Sequence, residues 1–294
     1  MVFDQRVTIE MNIPGDEEMV GVLGALREWQ HDSAPMQLHP GDLGWFWRFG
    51  LPATSRAVRV WHRKGEIVAV GLLDGPGLVR LTTSPDARTD PDLGDQLAAD
   101  LTEPGRGVLP AGRANVEAPA DALLQQRMEE VGWALDEPWT PLRCDLAEPV
   151  QDPGVRIEVV GPESADDVAT VVRGSFERST FNAERWHDMA SGPAYADARC
   201  LLARDESGVP AATVTVWSAG PGRPGLVEPM GVHRDHRGRG LGRAITLAGA
   251  VALRQLGSSS ALVCTPSANV GGVATYVAAG FQPLPEVRDR VRDV

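Results

Sequence analysis

At 294 residues, with 43% hydrophobic residues and a formal charge of −12 at pH 7, the chain has material for two cores and no positive excess with which to hold a polyanion, so no nucleic acid partner is expected. No apolar run reaches the roughly 18 to 20 residues that a membrane span needs, and Met1-Val2-Phe3-Asp4-Gln5-Arg6 lacks a signal-peptide pattern, so a cytoplasmic protein without membrane attachment is expected. Cys144, Cys200 and Cys264 are odd in number and scattered, which predicts reduced thiols and neither a disulfide framework nor a metal site.

In chain order, Val58 to Trp61, the turn Lys64-Gly65-Glu66, Ile67 to Leu73 and Leu78 to Thr82 read as three successive strands. Asp95 to Leu101 reads as a helix, and Asp121 to Val131 as another, followed by Gly132-Trp133. The polar Pro/Gly segment Ala147 to Gly154 has linker composition and divides the chain into 1–148 and 155–294. Beyond it, Arg156 to Val160 alternates like a strand, and Ser164 to Phe176 is a helix with Val168, Val171 and Val172 on one face. A second helical stretch runs from Ala183 to Ala190, and Cys200 to Ala203, the turn Asp205 to Gly208, and Ala211 to Trp217 form a hairpin. Leu226 to Val232 is the next strand, Ala244 to Leu256 a helix, and Ala261 to Cys264 a strand, with the Ala274 helix and a strand from Phe281 closing the unit. The fold class is α/β, and the first half repeats the second in blurred form.

The richest segment is Val232 to Ile245, where a strand ends, a glycine-rich turn follows and a helix begins. Gly238, Gly240 and Gly242 carry no Cβ, so the backbone can approach a ligand and adopt positive φ, while the orphan N–H groups of the helix favour a pyrophosphate. The spacing G-x-G-x-G fits neither the dinucleotide fingerprint nor the triphosphate loop, whose last glycine is followed by Lys and Ser or Thr. With Arg237 it becomes R-x-x-G-x-G, which resembles the acetyl-CoA signature of the GNAT N-acetyltransferase superfamily. About thirty residues later, Asn269 to Phe281 resembles the second signature of that family, N-x(6)-Y-x(3)-G-F. Gly280 also makes independent sense as a helix C-cap.

The resemblance implies a tandem GNAT protein: two folds, each a mixed, mostly antiparallel sheet flanked by helices, with a degenerate lobe at 1–148 and the acetyl-CoA-binding domain at 155–294. It further implies an acetyl-CoA-dependent N-acetyltransferase acting on a primary amine of a small molecule, by direct attack in a ternary complex, with acetyl-CoA as acyl donor and no metal. The alternative is an acyl-CoA-binding regulatory or assembly protein without turnover. In the family the Asn contacts the pantetheine arm and the Tyr faces the sulfur, which here are Asn269 and Tyr276. Arg237, Gly238, Arg239, Gly240, Leu241, Gly242 and Arg243 are the expected phosphate contacts, and His233 and His236 flank them as exposed loop residues. Two fused lobes imitate the dimer of single-lobe relatives, which argues for a monomer and leaves a dimer open.

Acetyl transfer needs a proton for the departing thiolate, a backbone donor for the carbonyl oxygen and a base for the amine. Tyr276 is the candidate acid. Met230, Gly231 and Val232 follow Pro229, which removes a ladder bond, so a bulge is expected there, with the amides of Met230 or Val232 as donors. Alternation places Glu228, Met230 and Val232 on one face, making Glu228 a candidate base. Several members of the family carry the strand glutamate two residues earlier, where this chain has Leu226, so a substrate-binding role for Glu228 stays open.

The first half lacks this chemistry. In place of the glycine turn it has Ser84 to Gly94, with three aspartates and two prolines, and four residues before Gly132 stands Met128 rather than a tyrosine. Residues 1–150 hold 24 Asp/Glu against 13 Lys/Arg, while the rest hold 16 against 15, so the negative charge belongs to the half without the turn. It either attracts a cationic acceptor or simply solvates the surface. Phe176, Phe181, Trp186 and Tyr195 are candidates for an aromatic acceptor wall, and Trp45-Phe46-Trp47 for an addition to it.

Overall fold

The computed structural model describes residues 8–293. The first half runs β1 (Ile9–Asn12), α1 (Met19–Glu28), α2 (Pro40–Phe46), α3 (Leu51–Ala57), β2 (Val58–Arg63), β3 (Glu66–Leu73), β4 (Leu78–Thr83), α4 (Pro91–Thr102), β5 (Ala114–Glu117), α5 (Leu123–Glu130) and β6 (Ala134–Asp145). The second runs β7 (Ile157–Val159), α6 (Ala165–Ser175), α7 (Ala183–Ser191), β8 (Ala198–Arg204), β9 (Pro210–Ser218), β10 (Gly225–Val232), α8 (Leu241–Gln255), β11 (Ser260–Pro266), α9 (Val270–Ala278), β12 (Gln282–Pro283) and β13 (Val287–Arg292). No strand or helix lies between Asp145 and Ile157.

Sequence periodicity does not announce α1, α2 or α3. The segment Pro40-Gly41-Asp42-Leu43-Gly44-Trp45-Phe46 has poor intrinsic helix propensity, so packing must hold it. His39 caps α2, its Nδ1 accepting from the Gly41 amide at 2.9 Å, while Pro40 takes the first helical position. The glycines serve close approach: a Cβ on Gly41 or Gly44 would lie 2.6 or 2.4 Å from the Trp217 side chain. A helix of the first half thereby docks flush on β9 of the second.

The strands form one continuous sheet in the order β1-β2-β3-β4-β5-β13-β6-β11-β10-β9-β8-β7, with β12 beside β6. Both halves repeat one pattern: four antiparallel strands, a parallel fifth (β4 with β5, β10 with β11), then an antiparallel sixth. The sixth strands are exchanged. β6, from the first half, pairs with β11 from Ser260↔Asp145 to Pro266↔Trp139, and β13, at the end of the second, pairs with β5.

One face of the sheet carries a core shared by both halves, in which Leu23, Leu26, Leu43 and Val70 meet Val168, Val172, Trp186 and Trp217. The opposite face carries two separate cores, one under α4 and α5 and one under α8 and α9. The two helix ends there repeat in detail. Phe281 N–H donates to Tyr276 O at 3.1 Å and Trp133 N–H to Met128 O at 2.9 Å, over Gly280 (φ 92) and Gly132 (φ 88) in left-handed conformations.

Candidate active site

The site is built where β10 leaves β11. The two strands pair only at Gly225↔Ala261 and Leu226↔Leu262, and β10 then bulges, its register against β9 shifting between Val227 and Met230. Because Pro229 offers no N–H, the ladder breaks there, and the indole of Trp217 donates to the freed carbonyl of Glu228 at 2.6 Å. The bulge overturns the expected alternation: Val227, Met230 and Val232 pair in step with Val216, Val214 and Ala212, while Glu228 is turned out of that series. His233 N–H donates to Ala211 O, so by the two-residue repeat the amide of Gly231 faces β9, and those of Met230 and Val232 face the open edge toward β11.

A cavity of about 420 Å³ occupies this opening, and it brings together Glu228, Met230, Asn269 and Tyr276. Tyr276 projects from α9, where burial raises its phenol above the ordinary range, helped by the charge of Glu228, so the hydroxyl keeps its proton at neutral pH. Cys264 on β11 also lines the cavity, and burial pushes its thiol up to about 12, which leaves it unsuited to act as a nucleophile. Asn269 caps α9, accepting from Gly272 N–H at 3.1 Å and donating to Thr265 Oγ1 at 3.1 Å.

The glycine turn lies at the start of α8. Gly238 and Gly240 adopt φ of 75 and 79, as the cradle requires, whereas Gly242 sits inside the helix and is needed for contact, since a Cβ there would meet Thr275 at 3.0 Å. Gly240 supplies no side-chain cap, which leaves the first amides of α8, from Leu241 on, available to an anion. Of the basic residues, Arg237 donates to Ser175 O at 2.9 Å, and Arg243 to Ala278 O at 2.8 Å, so both brace the turn against α6 and α9. Arg239 has no hydrogen-bond partner among the described residues. His233 and His236 are not the exposed loop residues expected: their side chains are 22% and 12% exposed and pack on each other with ring centres 5.8 Å apart.

The matching place in the first half is closed. Asp90 caps α4, accepting from Leu93 N–H at 2.9 Å, and Arg63 grips the same carboxylate at 2.7 and 2.8 Å, holding it near a pKa of about 2. The helix start thus already carries its own anion.

The sequence did not reveal what the first half adds. Arg80 on β4 reaches into the cavity, and its guanidinium meets Asp42 at 2.8 Å, Glu117 at 2.8 Å, and Asp74 and Glu228 at 3.7 Å each. Burial works against the charge on Arg80, but these carboxylates hold it charged. Burial drives the Asp42 carboxyl upward, against the pull of Arg80 and together with the repulsion of Glu228 and Glu117. Asp289 on β13 lines the same cavity, and burial, with Glu117 nearby, raises it to about 7. An arginine inside the apolar strand Leu78-Val79-Arg80-Leu81 was the available signal.

A second cavity, of about 410 Å³, abuts the first, with Phe176, Glu228 and Pro229 lining both. Its walls include Trp45, Arg48, Phe181 and Arg185, and Trp45 stacks on Phe181 at 5.2 Å. The aromatic expectations divide accordingly: Phe176 and Trp45 line cavities, Phe181 does so while packing in the shared core, and Trp186, Tyr195 and Trp47 pack in that core, because α7 and the turn after it lie flat on α2 and β9.

Residues 168–281 match the acetyltransferase (GNAT) family. A mycothiol acetyltransferase of Segniliparus rotundus is 26% identical over 235 residues, covering 73% of this chain and 84% of that protein. A mycothiol acetyltransferase of Propionibacterium freudenreichii subsp. shermanii is 29% identical over 153 residues, 48% of this chain, and there the chain spans only 49% of the relative's length. Among solved structures, a GCN5-related N-acetyltransferase from Sphaerobacter thermophilus superposes with a TM-score of 0.59 at 19% identity, covering 97% of this chain and 95% of that one. A tandem GNAT protein from the clavulanic acid biosynthesis pathway gives the same TM-score and identity, covering 97% of this chain and 98% of that one.

Proposed function

We propose that this chain is an acetyltransferase of the GNAT family that transfers an acetyl group from acetyl-CoA to a primary amine of a small molecule, at one active site in its second half. The observation that carries this reading is the meeting of Glu228, Asn269 and Tyr276 in one cavity at the opening between β10 and β11. The uncapped start of α8 behind Gly238 and Gly240 suits a pyrophosphate, and the mycothiol acetyltransferase relatives favour acetyl transfer.

In this reading Glu228 takes the proton of the attacking amine, directly or through water. The amides of Met230 and Val232 stabilise the negative charge developing on the carbonyl oxygen, and Tyr276 donates its proton to the departing thiolate. The protonated Cys264 supports direct transfer over a covalent acyl-enzyme. The carboxylates around Arg80 favour an ammonium arriving at the cavity. The likeness of the first half to a closed copy supports a single site, since Asp90 holds the place of the anion.

Free thiol release from acetyl-CoA across an amine panel tests the reading, together with Tyr276→Phe and Glu228→Gln. Each substitution is expected to lower kcat by about 10² to 10⁴-fold, the range for a lost general acid or base. Unchanged turnover in Tyr276→Phe with a responsive amine would remove the acid assignment. Absence of calorimetric binding at millimolar acetyl-CoA would remove the whole proposal.

A further inference from the structure

The second cavity is walled by arginines that have no carboxylate of their own. Arg48, Arg178 and Arg185 line it, and among the described residues none of them makes an ion pair. Arg48 donates through Nη1 to Trp45 O at 2.7 Å, and Arg185 through Nη1 to Thr180 Oγ1 at 2.5 Å, so the remaining guanidinium donors are free. Aromatic rings hold both in place: Arg48 lies 4.3 Å over Trp45 and 4.4 Å over Phe49, and Arg185 lies 5.1 Å over the same Phe49 ring.

Burial lowers Arg48 to about 10, opposed by the fields of Asp74 and Glu228 and reinforced by the repulsion of Arg185. Two half-buried guanidinium groups therefore share one recess and neither has an ion-pair partner among the described residues, although charges withdrawn from water are ordinarily paired. Among the described residues Glu228 is the sole carboxylate lining that recess, and it stands at the wall shared with the first cavity.

We infer that the second cavity holds the acceptor by an anionic group, so that the substrate is an amine that also bears a carboxylate or phosphate. This rests on the reading of Glu228 and Tyr276 as the transfer site. The guanidinium fork matches a planar carboxylate or a phosphate by paired hydrogen bonds. With the anion at Arg48 and Arg185 and the carbon skeleton against Trp45 and Phe181, the amine is directed to Glu228, beyond which Tyr276 lines the first cavity. The cationic and anionic ends of one molecule then meet opposite fields on either side of the β10 bulge. Three of the residues concerned, Trp45, Arg48 and Phe49, come from the first half.

Matched acceptors test this with the full chain and acetyl-CoA: glycine against methylamine, phenylalanine against phenethylamine, and O-phosphoethanolamine against ethanolamine. The anionic member of at least one pair is expected to give a kcat/KM at least tenfold higher, through KM. Arg185→Gln and Arg48→Met should each bring the ratio of kcat/KM within that pair down toward one; Arg185→Gln removes no ring contact of Arg48, so it guards against loss of fold. The carboxylate and phosphate pairs separate the two sources of anion. Equal rates within every pair, or a preference that survives both substitutions, would overturn the inference.

If no amine reacts, the transfer reading fails on its own, and binding still decides the recess. Calorimetry with N-acetylphenylalanine and its uncharged amide should then show binding of the acid alone, lost in the two variants. Equal binding of acid and amide would overturn the inference.

Discussion

At the scale of single residues, the charge cluster around Arg80 makes the sharpest demands. Arg80→Met would leave Asp42 and its neighbours without their cation, and a loss of about 3–5 kcal/mol in denaturant unfolding is expected, as for other broken buried pairs. Asp289 has a sign that can be worked out. Its folded value of about 7 exceeds the ordinary 3.8, so the folded state keeps a proton that the unfolded chain releases. The stability it contributes is present below about pH 4 and is lost as pH rises through 7, and Asp289→Asn should flatten the fall in melting temperature between pH 5 and 8. His39 works at the acid side: burial lowers it to about 4, so the unfolded chain protonates first and stability falls as pH drops from 6.5 toward 4. These residues were not legible in the sequence, because each comes from a different element and no spacing connects them. Tyr276, Asn269 and the turn at Arg237 to Gly242 stand in contiguous motifs, so the resemblance pointed to them, and the structure puts them on one helix and one turn.

At the scale of elements, the β10 bulge and the α2 contact decide the site's shape. Pro229 predicted a broken ladder, but the residue turned aside by it, Glu228, follows from the register against β9 rather than from alternation. Helix α2 is the reverse case, a segment whose propensity argues against the structure it adopts. Gly44→Ala places a methyl group against Trp217, whose indole also secures the Glu228 carbonyl. A loss of about 1–3 kcal/mol is expected from overpacking, read by thermal unfolding, and activity should fall further than stability alone explains because the bulge loosens. A Gly44→Ala protein that melts as the wild type does would show that α2 yields without disturbing β9.

At the scale of the whole molecule, the exchanged strands make the two halves interdependent. Residues 1–148 alone would lack β13, and 155–294 alone would lack β6, so each would expose an unpaired sheet edge beside its parallel pair. Expressed separately, both are expected to aggregate in size-exclusion chromatography, and co-expressed they should form one complex; a monomeric, folded 155–294 that binds acetyl-CoA would refute this. The sequence by itself determined the strand and helix order of the second half as far as α9, the glycine turn and the helix that carries Tyr276, because those features depend on neighbours a few residues apart, whereas the one closing strand expected from Phe281 is two, β12 and β13. Only the tertiary structure decided that β6 and β13 trade places, that Arg80 from the first half reaches Glu228 while Arg48 lines the cavity beside it, and that aromatic residues such as Trp186 belong to the core. Pairing between strands and charge balance inside a cavity depend on which distant segments meet, and a linear pattern of residue types carries no record of that meeting.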